Sequence, residues 1–276
     1  MVRQLIIVIA SAAVCVSAHA QSCTRDSLKA MIADYYRAVE THDISALPLA
    51  PGVRVTENGQ EIKPGEGLFQ TGGKVEFQRS FFDTERCGAV TQAVVNETVD
   101  GAQTQSVVAV RLKVSEGKVS EIETIITREA EQKLSYNLYD PKGLIATKDQ
   151  DWTTPLPPDR RLTREYMNGE ANKYFDAFSN TPPAIPAFAT PCHRWEGGKH
   201  VTLDGDCMPR NLVLTHTRRR FPVTDLELGI TAGFINFAGV LPDVHIFKFN
   251  KDGKIEYIQA VFGGRQPGPI WPDDER

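Results

Sequence analysis

Residues 192–200 read Cys-His-Arg-Trp-Glu-Gly-Gly-Lys-His, gathering a thiol, two imidazoles, a guanidinium, an indole and a carboxylate into nine positions. Imidazole titrates near neutral pH, so His193 is suited to carry protons. Glu196 could serve as acid or base where burial moves its pKa away from the solvent value. The stretch reads less well as a metal centre. His193 and His200 are seven positions apart, not the four that stack two ligands on a helix, and no second Cys/His pair completes a zinc set. We therefore expect no metal here. The plainer reading makes His193 a solvated loop residue and Trp195 a core or pocket wall.

Three further groups carry chemistry by type. Arg54, Glu57 and Asn58 lie in RVTENG; a desolvated Glu57 would be a usable acid or base. The alternative has Thr56 and Asn58 bonding local backbone in a turn while Glu57 pairs with a nearby arginine. His216, Arg218 and Arg220 alternate, so in a strand they share one face and form a positive row able to hold a carboxylate, phenolate or developing oxyanion. A solvated outer face, or an interface between halves, would account for the same row. Tyr35, Tyr36 and Tyr174 belong to helical stripes and are core by default, although a phenol facing a cavity can donate to a substrate oxygen. His245, in an alternating stretch, faces the same choice.

The elements that position these residues recur. LKAMIADYYRAVETHD sets Leu28, Met31, Ile32, Tyr35, Tyr36 and Val39 at helical spacing, and EYMNGEANKYFDAFSN does so with Met167, Ala171, Tyr174, Phe175 and Phe178. YYRAV and YFDAF superimpose at an offset of 139 positions, and the same offset lays RVTENG on HRWEGG, with Glu57 on Glu196. Each half closes on paired alternating runs, turning at Glu116-Gly117 and at Asp252-Gly253. Three landmarks in one order imply a repeat. Each copy is then a helix, a loop, a short hairpin region and antiparallel strands: an α+β fold with the helix in the concave face of a curved sheet.

The N-terminus reads as an export leader: Arg3, the apolar LIIVIASAAVCV, and Ala18-His19-Ala20 as a cleavage site over residues 1–20. The remaining plan is a first repeat over 21–130, a Pro-rich extended linker over 131–162, a second repeat over 163–264, and a tail over 265–276. A leader implies a secreted or periplasmic protein. With the leader removed, four cysteines remain: Cys23, Cys87, Cys192 and Cys207. An even count in an oxidising compartment implies disulfides. Of three possible pairings, 23–87 with 192–207 keeps each bridge inside one half, each worth roughly 3–4 kcal/mol by loop-closure entropy. The formal charge of −4 argues against nucleic acid or an anionic membrane as partner. No G-x-S-x-G elbow, P-loop, dinucleotide fingerprint or H-E-x-x-H occurs in the sequence.

On the stretches VTENGQEIKPGEGLFQT, CHRWEGGKHVT and RRRFPVTDLELGITAGFINF, the chain resembles exported tandem SnoaL-like proteins of bacteria and fungi, within the nuclear-transport-factor-2-like superfamily. That resemblance implies two cone-like repeats, each holding a deep and mostly apolar pocket. It also implies cofactor-free chemistry, commonly lyase, isomerase, cyclase or hydratase, on small hydrophobic molecules, with some lyases acting on lignin-derived aromatics. Acid and base positions differ across the superfamily, so none is transferred by motif. The expectation is a cofactor-independent lyase, with a small-molecule binding protein as the alternative. Its catalytic candidates are Glu57, His193, Glu196 and His216. Its substrate-binding candidates are Arg54, Asn58, Tyr36, Trp195, Arg218, Arg220 and His245. The expected partner is a small hydrophobic or aromatic molecule, and the expected state is monomer or homodimer.

Overall fold

The computed structural model describes residues 23–131, 138–178, 184–202, 204–209 and 219–264. The leader, His216, Arg218 and the tail lie outside the described residues.

The first repeat opens on α1 (Arg25–Thr41), where Thr24 caps the first turn by accepting a hydrogen bond from the Ser27 amide and Ser27 bonds back to Thr24. Strands β1 (Leu49–Glu57) and β2 (Gln60–Ile62) form a short hairpin, and α2 (Leu68–Thr71) leads into β3 (Gly72–Asp83). Then come β4 (Gly88–Val99), β5 (Ala102–Ser115) and β6 (Lys118–Thr127). After the connecting segment, with α3 (Pro141–Ile145), the plan recurs. Helix α4 (Arg164–Asp176) is capped by Thr163, and β7 (Phe188–Glu196) pairs with β8 (Lys199–His200). The second repeat ends on β9 (Arg220–Asp225), β10 (Ile230–Phe237), β11 (Leu241–Phe249) and β12 (Ile255–Phe262).

The two six-stranded sheets have one topology. Their orders are β2-β1-β6-β5-β4-β3 and β8-β7-β12-β11-β10-β9. In each, the first strand runs parallel to the last (β1 with β6, β7 with β12), while the other pairings are antiparallel. The fold is α+β in two repeats, as the sequence implies. Both cysteine pairs close within a half: Cys23–Cys87 and Cys192–Cys207. They point to an oxidising compartment. Among the described residues no helix is long and apolar enough to cross a membrane.

Each helix lies in the bowl of its own sheet. Leu28, Ile32, Tyr35 and Val39 pack with Val55, Val108, Val110 and Ile122 in the first. Met167, Tyr174, Phe175 and Phe178 pack with Phe237, Phe247 and Ile258 in the second. A third cluster joins the backs of the sheets, with Val90, Val94, Val107 and Ala109 meeting Val223, Ala232, Val244 and Ile246. Central strands are therefore buried on both faces: every residue of β10 is buried.

The connecting segment, expected as an extended linker, is instead packed. Leu144 and Trp152 are buried in the seam between the sheets, and Tyr139 bridges to Gly198 of the second repeat. Its prolines set the turns while its few large apolar residues supply burial, which composition alone understates.

Candidate functional site

The strand alternation of β7 divides the Cys192–His200 cluster between two faces. Cys192, Arg194 and Glu196 face the second bowl, where Arg194 reaches the Tyr174 hydroxyl at 3.0 Å and Glu196 at 3.3 Å. His193 and Trp195 face outward. There Trp195 stacks on His200 with ring centres 4.6 Å apart, and His193 lies beside Tyr257. Burial and the neighbouring His193 lower the pKa of His200, whose Nε2 is 2.9 Å from the Thr202 hydroxyl. The two halves of this motif thus serve different surfaces.

Inside the second bowl, β11 adds Asp243 and His245, two residues apart and so on one face. Nδ1 of His245 lies 2.8 Å from Oδ1 of Asp243. The contact is close but not aligned as a hydrogen bond, and among the described residues neither atom has a hydrogen-bond partner. The imidazole is walled by Tyr174 at 5.3 Å, Phe175 at 5.2 Å and Phe247 at 6.0 Å between ring centres. Burial raises the Tyr174 phenol above its ordinary range, Arg194 pulling against that rise and Glu196 adding to it. Burial also works against the charge on Arg194, but Tyr174 and Glu196 outweigh it and hold the guanidinium above its usual range. Backbone carbonyl oxygen of Cys207 accepts from the same guanidinium at 3.3 Å, so the Cys192–Cys207 loop helps to aim it.

The matching register of the first bowl is apolar. Glu57 pairs across β6 at Thr124, which pairs with Val110; Glu196 pairs across β12 at Ala260, which pairs with His245. By the same ladders Val108 matches Asp243 and Val55 matches Arg194. Three valines of the first bowl are thus an arginine, an aspartate and a histidine in the second. Glu57 itself is tied down: Arg128 holds one oxygen at 3.0 Å and the Leu68 amide the other at 2.8 Å. Arg128 also binds Glu97, whose side chain is fully buried, and Glu131. Burial opposes both charges, yet Arg128 holds Glu97 below the usual carboxylate range.

The remaining candidates are scattered. Arg54 is on the outer face beside Glu61, and Tyr36 is core with its hydroxyl 3.5 Å from Thr91. Asn58, in a left-handed turn conformation, brackets Ile126 through its backbone amide and carbonyl. Arg220 crosses the seam to Glu123 at 2.7 Å and lies over Phe234. Among the described residues, the sequence candidates brought together on the inner face of the second bowl are Tyr174, Glu196 and His245. Asp243 escaped the sequence reading because it follows Pro242 at a strand start and reads as turn; the Asp-x-His alternation was the available signal. A polar groove of about 610 Å³, lined by Gln105, Tyr139 and Lys142 among others, lies outside both bowls.

No curated protein matches the chain. Among solved structures it is similar to PrhC from Penicillium brasilianum, at 12% identity over 37% of this chain and 82% of that one, with a TM-score of 0.32. An LEH-like epoxide hydrolase from M. tuberculosis shares 13% identity over 37% of this chain and 84% of its own, with a TM-score of 0.30. An NTF2-like protein of unknown function from Cytophaga hutchinsonii shares 7% over 36% and 89%, with a TM-score of 0.29. Each overlap spans roughly the length of one repeat. A family model described as Domain of unknown function (DUF8021) matches residues 21–126 and 160–262, which contain both sheets, and the chain belongs to that family.

Proposed function

We propose that the protein is an exported, cofactor-independent lyase whose reaction takes place in the second bowl, on a small aromatic or otherwise hydrophobic molecule. One observation carries this: Arg194, Asp243 and His245 stand where the first bowl has Val55, Val108 and Val110. Burying three ionisable groups costs stability that valines would not. The first repeat demonstrates that the fold closes without them.

In this reading His245 is the base. It takes a proton from a carbon beside a substrate carbonyl, and Asp243 holds the imidazole and stabilises its cation. Arg194 and the Tyr174 hydroxyl neutralise the oxyanion that develops, with Glu196 keeping the guanidinium in place. The electron pair then expels the group on the adjacent carbon, and the imidazolium returns its proton to the departing oxygen. Phe175, Phe178 and Phe247 supply an apolar, ring-shaped wall.

Incubation of the leader-free protein with lignin-type aromatic dimers, without added nucleotide or metal, tests the proposal. Turnover that persists in chelator and is lost in His245→Gln supports it. Strict metal dependence, or full activity in that variant, removes it. A second reading, a small-molecule binding protein, is favoured by the fact that Arg194 is already engaged by Tyr174 and Glu196. It predicts that the same dimers bind without turnover and that His245→Gln changes affinity only slightly.

A further inference from the structure

A second polar constellation lies away from the bowls, in the seam between the sheets. Arg79 of β3 is buried, its exposure only 8%, and among the described residues no carboxylate pairs with it. Phe77 and Trp152 lie against the guanidinium, each ring centre 4.8 Å from its carbon, and one nitrogen donates to the Thr147 hydroxyl. Among the described residues the other two nitrogens have no hydrogen-bond partner. Directly across the ladder from Arg79 stands Gln92, which shares one hydrogen bond with Gln259 of the second repeat at 3.3 Å. That leaves Oε1 of Gln92 and Nε2 of Gln259 buried and, among the described residues, unpartnered as well. Gln259 and Tyr257 alternate on β12, Tyr257 stacks on Trp152 at 5.7 Å, and Trp152 returns to Arg79. The five residues draw on both repeats and on the connecting segment.

An unpaired buried cation is among the most costly features a core can hold, and native interiors rarely keep buried polar atoms unmatched. Burial alone pushes this guanidinium down to about 9. The geometry points to a binding site for one small monocarboxylate, held by Arg79 and the Gln92–Gln259 pair beneath Trp152. One guanidinium neutralises one negative charge, which disfavours a phosphate dianion. The second hydrogen of the nitrogen that bonds Thr147, together with one free N–H beside it, suits the two oxygens of a carboxylate. Rotating both amides exchanges their donor and acceptor roles, so in either arrangement one N–H₂ group is free to donate to the anion. Phe77, Trp152 and Tyr257 would cover a short apolar tail. None of the five residues belongs to the second-bowl cluster, so this site and the proposed lyase stand or fall separately.

The experiment is thermal unfolding of the leader-free protein titrated with sodium benzoate, sodium acetate and inorganic phosphate at constant ionic strength. It is run in parallel on Arg79→Met and on Gln259→Leu. The expected result is saturable stabilisation by benzoate or acetate with half-effect below about 1 mM. Phosphate should have no such effect. Affinity should fall at least about tenfold in Arg79→Met and less in Gln259→Leu, and tryptophan fluorescence should change in step and lose that change in Trp152→Phe. Equal stabilisation of wild type and Arg79→Met, saturable binding of phosphate in place of carboxylate, or no saturable effect at all would overturn the assignment. If Arg79→Met does not fold, Arg79→Lys keeps the charge without the planar fork and must still weaken carboxylate binding.

Discussion

Arg164, the first residue of the second repeat's helix, grips Asp83 at the end of the first repeat's β3 with two hydrogen bonds, of 2.6 and 3.0 Å. The relationship is reciprocal. Arg25, first in the other helix, reaches Asp225 at the end of β9 at 2.8 Å. Each aspartate also accepts a backbone amide from the opposite repeat: Asp83 from Thr224, and Asp225 from Phe82, both at 2.9 Å. The pairs form a crossed clasp that fixes the two sheets back to back.

The clasp is unequal, and that gives a stability prediction. Arg164 has 10% of its side chain exposed and a bidentate grip; Arg25 has 29% exposed and a single short contact. Removing one partner of a buried pair strands the other charge at a cost of about 3–5 kcal/mol; Asp225 is as buried as Asp83, but solvent around Arg25 screens its pair more. Asp83→Asn or Arg164→Met should therefore lower urea-unfolding stability more than Arg25→Met. Equal losses would mean that the clasp works through backbone bonds alone.

The inequality of the bowls predicts where activity resides. In the dimer-cleavage assay, His245→Gln should lower kcat/KM by about 10²–10⁴-fold, the usual range for a general base. Val110→Ala, its counterpart, should cost only stability, about 2–3 kcal/mol for a cavity of that kind. Comparable rate losses in both variants would place chemistry elsewhere.

Alkaline pH should unfold the protein steeply. Tyr35, Tyr36 and Tyr174 are buried, and burial raises each phenol above the ordinary value of 10. Above about pH 10 the unfolded chain releases phenolic protons that the folded chain keeps. The folded state then binds more protons, so stability present below pH 10 is lost as pH rises, by up to about 1.4 kcal/mol per pH unit for each tyrosine. Ultraviolet titration should show three of the seven tyrosines silent until the far-ultraviolet signal collapses.

The two disulfides should separate in effect. Both close loops whose loss costs roughly 3–4 kcal/mol. Only the Cys192–Cys207 loop also carries a carbonyl that holds Arg194. Replacing Cys192 and Cys207 together with alanine should impair turnover at temperatures where the variant is fully folded. The Cys23/Cys87 double variant should leave turnover per folded molecule unchanged.

Much of this architecture follows from local pattern. The caps Thr24 and Thr163, the helix stripes around Tyr35 and Tyr174, and the hairpin turns at Gly117 and Gly253 are set by contacts within a few residues. They repeat along the chain because each copy must solve the same burial problem. Cysteine pairing followed once two halves were recognised, because short loops close most readily.

Tertiary structure decided which charges meet. Strand parity turned Arg194 inward and His193 outward, a choice that a shift of one position would reverse. Only the ladders between strands set His245 against Val110. Only back-to-back packing of the sheets buried Arg79, brought Gln92 to Gln259 and made Arg220 a partner of Glu123. These contacts join residues far apart in the chain, and no local preference records them. They arise because two apolar sheet faces exclude water together, and every polar group caught between them must answer to whatever stands opposite.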